Sequence, residues 1–117
     1  MESSPSILRP AIEFIRQRRA VTFVELEQFA ASHGIEPHGD FEISVREFNI
    51  VIWTAISEEF MALVEALRPY TDLHSCSFLA YLFDGACLQL PQVKRVPKKG
   101  YRKPHWAPVE IALKEAA

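Results

Sequence analysis

The sequence is poor in several things, and each shortage closes a class of explanation. It holds two cysteines, Cys76 and Cys87, which form no CxxC pair. A disulfide scaffold is therefore excluded, and two ordinary thiols in a reducing compartment are expected. It holds four glycines, none spaced as GxGxxG, so it lacks a glycine-rich phosphate loop. The longest apolar runs, Phe48 to Ile56 and Phe78 to Phe83, fall far short of the roughly 18 to 20 residues of a membrane span. The start, Met1-Glu2-Ser3-Ser4-Pro5-Ser6, has no basic segment followed by an apolar one, unlike a secretory leader. A cytoplasmic location with no membrane partner is the resulting expectation.

What is present suits a folded domain. The chain has 117 residues, 49% hydrophobic and 24% charged, enough to bury one core and too apolar for a disordered chain. One α+β domain over residues 1–117 is expected, of N-terminal helices, a small antiparallel sheet and a C-terminal basic β-ribbon, with residues 1–6 frayed and residues 91–108 forming the proline-rich ribbon or arm.

Apolar residues Leu8, Ala11, Ile12 and Ile15 recur at helical spacing, which predicts a helix over Ile7 to Arg19. Pro10 fits only its first turn, and Arg16, Arg18 and Arg19 sit at the end that favours cations. Thr22-Phe23-Val24-Glu25 is a capping box that starts a second helix, with Val21 and Leu26 placed for a hydrophobic staple and Gly34 for its stop. Residues Ile35 to Asp40 read as a loop. Phe41 to Val45 and Phe48 to Ile56 read as an antiparallel pair joined through Arg46 and Glu47. Ser57, followed by Glu58 and Glu59, caps a third helix that Pro69 ends. Residues 72–90 leave two readings open. One is a hairpin of Phe78–Phe83 and Ala86–Leu90 on an Asp84-Gly85 turn. The other is a helix from Asp72 to Phe83 stopping at Gly85. Val109 to Leu113 reads as a returning strand. Trp53, inside an apolar run, reads as core.

Charge is divided unevenly. Before Lys94 there are six basic and thirteen acidic residues; from Lys94 onward there are seven basic and two acidic. Lys94, Arg95, Lys98, Lys99, Arg102 and Lys103 crowd six cations into ten residues, with Tyr101 and Trp106 beside them and no acid between Gly85 and Val109. Clustered cations neutralise phosphates and release counterions, and aromatics among them can stack on bases. Lys94, Arg95, Lys98, Lys99, Tyr101, Arg102, Lys103 and Trp106 are thus candidate nucleic-acid contacts, with Trp106 alternatively anchoring the arm to the body. The N-terminal arginines would extend this footprint if they shared its face. Two competing readings stand beside it. A solvated arm of Lys and Pro protects a sheet edge, and an acidic body with a basic arm suits a protein partner or a second copy of the chain.

The order of elements resembles that of winged helix-turn-helix DNA-binding domains over residues 57–113. In that resemblance Ser57 to Arg68 is the positioning helix, Asp72 to Phe83 the recognition helix and Lys98-Lys99-Gly100 the wing tip. The recognition segment offers His74, Ser75 and Ser77 but no Lys or Arg, so the resemblance implies backbone or minor-groove contacts from the ribbon. The implied function is non-enzymatic nucleic-acid binding or regulation.

Other chemistry finds little support. His33, His38, His74, Cys76, Cys87 and His105 lack the paired spacing of structural zinc sites, and no metal or cofactor is expected. Glu58 and Glu59 are adjacent on a helix and diverge by about 100 degrees, so they cannot act as paired carboxylates. Asp72 with His74, and Cys76 with a distant histidine, supply residue types without a motif.

Overall fold

A computed structural model of the chain describes residues 7–114; the frayed start expected at residues 1–6 lies outside them. The fold is α+β, built from two three-stranded sheets and four helices among the described residues.

Helix α1, Leu8–Arg18, buries Ala11 and Ile15 completely, as its helical spacing predicts. It leads into strand β1, Ala20–Val21, and then helix α2, Phe23–Ser32. The capping box is formed as read. The Thr22 hydroxyl accepts from the Glu25 amide at 3.1 Å, and the Thr22 amide donates to the Glu25 carboxylate at 2.9 Å. Val21 and Leu26, the expected staple, are both fully buried. Gly34 follows the helix at φ 86°, the left-handed conformation a C-terminal stop favours.

Strand β2, His38–Val45, pairs antiparallel with β3, Ile50–Ile56. The pair was expected, but β2 begins three residues earlier than the loop reading allowed. Gly39 explains the extension. A Cβ there would stand 2.7 Å from the Ser57 Cα, so only glycine lets the strand run this close to the end of β3. A single 3-10 turn, Arg46–Phe48, joins the strands, and Asn49 closes it at φ 58°.

Helix α3, Glu58–Leu67, starts where Ser57 accepts from the Phe60 amide at 3.0 Å. It ends in a 3-10 turn, Arg68–Tyr70, that contains Pro69. Neither reading of residues 72–90 is what forms. Thr71–Ser75 is strand β4, and only Leu79–Leu82 makes a helix, α4, of one turn, with Gly85 following at φ 68°. Asp72 to Ser77 contains few good helix formers, and β4 finds a partner in β6, Val109–Leu113, over five residue pairs. The partner comes from the far end of the chain, so local pattern could not reveal the pairing.

The first sheet has the order β1-β6-β4 and is antiparallel. The second has the order β2-β3-β5, where β5, His105–Trp106, runs parallel to β3. An aromatic cluster holds the body together. Phe23, Tyr81 and Trp106 are fully buried and Trp53 nearly so. Trp53 lies 4.9 Å from Tyr81 and 6.4 Å from Trp106 between ring centres, and Tyr81 meets Trp106 edge to face at 5.3 Å. Each polar handle is satisfied, as buried Tyr and Trp require. The Tyr81 hydroxyl donates to the Val109 carbonyl at 2.7 Å and accepts from the Phe23 amide at 3.1 Å. Trp53 Nε1 donates to Glu27 at 2.7 Å, and Trp106 Nε1 to the Ile52 carbonyl at 3.3 Å.

Candidate functional site

The basic segment is an arm. Residues 91–104 contain no strand, so the expected β-ribbon is not formed and Lys98-Lys99-Gly100 is not the tip of a hairpin wing. Pro91, Pro97 and Pro104 remove three amides from any ladder. The turn expected at Lys98-Lys99-Gly100 is present, closed by the Gly100 amide on the Pro97 carbonyl at 2.9 Å.

The arm is nonetheless fixed to the body at both ends and in its middle. At its start the Trp106 amide donates to the Pro91 carbonyl at 2.8 Å and the Val93 amide to the Trp106 carbonyl at 2.9 Å. At its end the His105 amide donates to the Asn49 carbonyl at 3.0 Å. Between them the Tyr101 amide donates to the Phe48 carbonyl at 3.0 Å, and the Asn49 side-chain amide donates to the carbonyls of Tyr101 and Arg102 at 3.3 and 3.1 Å. Gly100, at φ 80°, lies so close to the 3-10 turn that a Cβ would stand 2.5 Å from the Phe48 Cα. The same contact sets the Glu47 carbonyl beside the arm, an association that no local pattern encodes.

Lys94, Arg95, Lys98, Lys99, Arg102 and Lys103 are all exposed, and none forms an ion pair among the described residues. The arm is therefore not neutralised by Glu58, Glu59 or Glu65; Glu65 instead pairs with Arg68 at 3.3 Å. Trp106 is fully buried in the aromatic cluster, so as a base-stacking candidate it is corrected: it anchors the arm. Tyr101 is half-buried. Its ring stacks on His105 at 3.6 Å and its hydroxyl donates to the Arg95 carbonyl at 2.6 Å, which braces the arm from within. Two of the N-terminal arginines serve local contacts. Arg16 pairs with Glu13, and Arg18 pairs with Glu25 at 3.3 Å and lies over the Phe14 ring.

The helix that would read bases in the winged-helix resemblance does not form, because Asp72 to Ser75 are strand and α4 is a single turn. That four-residue helix turns Tyr81 inward and leaves Leu79, Leu82 and Phe83 exposed, with Phe83 at 88% exposure.

The remaining titratable groups are arranged for packing. Glu27 is buried under Trp53, with His38 Nε2 at 3.5 Å. Burial pushes its carboxyl above the usual carboxylate range, and the Trp53 hydrogen bond and His38 oppose the rise. Burial, with a smaller contribution from Glu110, pushes the Cys76 thiol up to about 11, opposite to what a nucleophilic thiolate needs. Among the described residues no three His, Cys, Asp or Glu side chains gather as a metal site, and no helix is long and apolar enough to cross a membrane.

Two concavities among the described residues bear on function. One, of about 380 Å³, is an apolar groove between α3, β2 and β4, lined by residues including Ile43, Met61, Val64 and Leu73. The other, of about 660 Å³, opens at the base of the arm between Phe78, Leu90, Pro91, Gln92, Lys94 and His105. Compared with known proteins, the chain matches no family model, no curated protein and no solved structure.

Proposed function

We propose that the chain is a non-enzymatic nucleic-acid-binding module whose arm supplies the phosphate contacts. The observation that carries this reading is the state of Lys94, Arg95, Lys98, Lys99, Arg102 and Lys103: six exposed cations without an ion pair among the described residues, on a backbone held against the body. A fixed arm has given up much of its freedom before binding, which lowers the entropic cost of lining cations along a phosphate chain. Tyr101 and Trp106 contribute by holding the arm. With α4 a single turn, backbone contact is better supported than a helix reading the major groove.

The test is fluorescence anisotropy with short labelled oligonucleotides over a salt series. Six phosphate contacts predict a log-log salt slope of about −5 on a duplex and about −4 on a single strand. Changing Lys94, Lys98, Lys99, Arg102 and Lys103 together to Glu should abolish binding while leaving the circular dichroism spectrum unchanged. Failure of the wild type to bind at low salt rejects the reading.

A second reading follows from the same unpaired cations. Glu58 and Glu59 are likewise exposed without an ion pair among the described residues, so the arm of one copy has an acidic surface to meet on another. Sedimentation velocity in low and high salt separates the two: salt-sensitive dimers without oligonucleotide favour self-association.

A further inference from the structure

Resting on the nucleic-acid reading, we propose that the cleft at the base of the arm is a nucleobase pocket, so that the ligand is a single strand with unpaired bases. The cleft is lined by Phe78, Leu90, Pro91, Gln92, Lys94 and His105, and its volume of about 660 Å³ falls within the roughly 300 to 1,000 Å³ of small-molecule sites. Its lining supplies each kind of contact that a base and its phosphate require.

Phe78 is half-buried. It packs against the core on one side and lines the cleft on the other, and it precedes α4, which the two Tyr81 hydrogen bonds hold in place. It is the aromatic wall on which a base can stack. Gln92 stands on a fixed wall, because the residues on either side of it are hydrogen-bonded to Trp106. Its side-chain amide has no hydrogen-bond partner among the described residues and presents both a donor and an acceptor, the pair a base edge matches.

His105 is oriented from both sides. Tyr101 covers one face, and Nδ1 lies 3.0 Å from the Lys103 carbonyl. A carbonyl only accepts, so in this contact Nδ1 carries the proton, which leaves Nε2 of the neutral ring as an acceptor. Lys94 brings the first cation of the arm to the cleft, where it can hold the phosphate of the base's own nucleotide. Bases of a duplex are stacked and paired, so a pocket of this kind selects strands whose bases are free.

Two measurements test the proposal. The first is anisotropy of single-stranded and duplex oligonucleotides with wild type, Phe78→Leu and Gln92→Ala. Leucine keeps apolar packing and removes the stacking face; Gln92→Ala breaks no side-chain hydrogen bond among the described residues and decides the matter if Phe78→Leu proves unstable. The second is saturation-transfer NMR with nucleoside 5′-monophosphates, with ribose 5-phosphate as the probe lacking a base. The expected result is preference for the single strand, reduced about 5- to 100-fold by Phe78→Leu with the salt slope unchanged, and saturation concentrated on base protons. Equal binding of duplex and single strand by wild type and both variants overturns the pocket and leaves the arm reading intact. Base-proton saturation that the variants lose, without any oligonucleotide binding, upholds the pocket and overturns the arm. No binding of any probe overturns both.

Discussion

Asn49 holds the left-handed conformation at φ 58° and from there donates its side-chain amide to the carbonyls of Tyr101 and Arg102, at 3.3 and 3.1 Å. One residue thus closes the turn between β2 and β3 and fastens the arm to it. Asn is among the few residues that tolerate this backbone and carries the two donors needed. Gly100, pressed against Phe48 on the same corner, is the other half of the clamp.

Disrupting the clamp should free the arm while the body stays folded. Asn49→Ala removes both hydrogen bonds and places a Cβ residue without them at positive φ. Gly100→Ala combines positive φ with a contact of 2.5 Å. Each should cost roughly 1 to 3 kcal/mol at this corner. Limited trypsin digestion is the measurement, since Lys94, Arg95, Lys98, Lys99 and Arg102 are cleavage sites within the arm: the variants should be cut there several times faster than wild type. Equal cutting would mean the arm is not held by this corner.

Tyr81→Phe should destabilise the whole domain. It deletes only an oxygen, but leaves the Phe23 amide and the Val109 carbonyl without their buried partner. The expected loss is about 1 to 3 kcal/mol, with Tm lower by roughly 5 °C or more. An unchanged Tm in scanning calorimetry would show that neither hydrogen bond matters.

Glu27 makes stability depend on pH. Its folded pKa is raised, chiefly by burial, so between the unfolded and folded values the native state binds more protons than the unfolded chain. Its contribution therefore worsens as pH rises through that window and is least costly below the ordinary carboxylate value. Glu27→Gln keeps an oxygen for Trp53 and removes the charge. Relative to wild type the variant should gain stability as pH goes from 4 to 7 in urea unfolding. A difference that does not change with pH would refute the account.

Cys76 should be a slow nucleophile. With its pKa pushed up by burial to about 11 from an ordinary 9.0, it holds about a hundredfold less thiolate than an ordinary thiol near neutral pH. Iodoacetamide labelling followed by mass spectrometry should show sluggish modification at pH 7.5 that accelerates at each step up to pH 10. Rapid labelling at pH 7.5 would contradict the burial that sets this value.

The elements with their own punctuation were legible in the chain. Thr22 with Glu25 marked the start of α2, Ser57 the start of α3, and Gly34 the stop of α2, because a cap or stop is decided by residues within one turn of it. The α+β class, the β2–β3 pair, the β6 strand, the burial of Trp53 and the crowding of six cations were equally readable. They rest on local pattern or on composition.

Tertiary structure alone decided the rest. Thr71–Ser75 became a strand because Val109–Leu113, nearly forty residues on, offered an open edge, and this pairing removed the helix that the winged-helix resemblance required. Trp106 became core because Tyr81 and Trp53 converge on it from distant elements. The arm's course was set by Asn49 and Gly100, and the cleft by Phe78 meeting Gln92 and His105. Each of these is a contact between segments far apart in sequence, and no local propensity encodes its partner. The charges of the arm belonged to the sequence; their exposure, and which aromatics remain beside them, belonged to the fold.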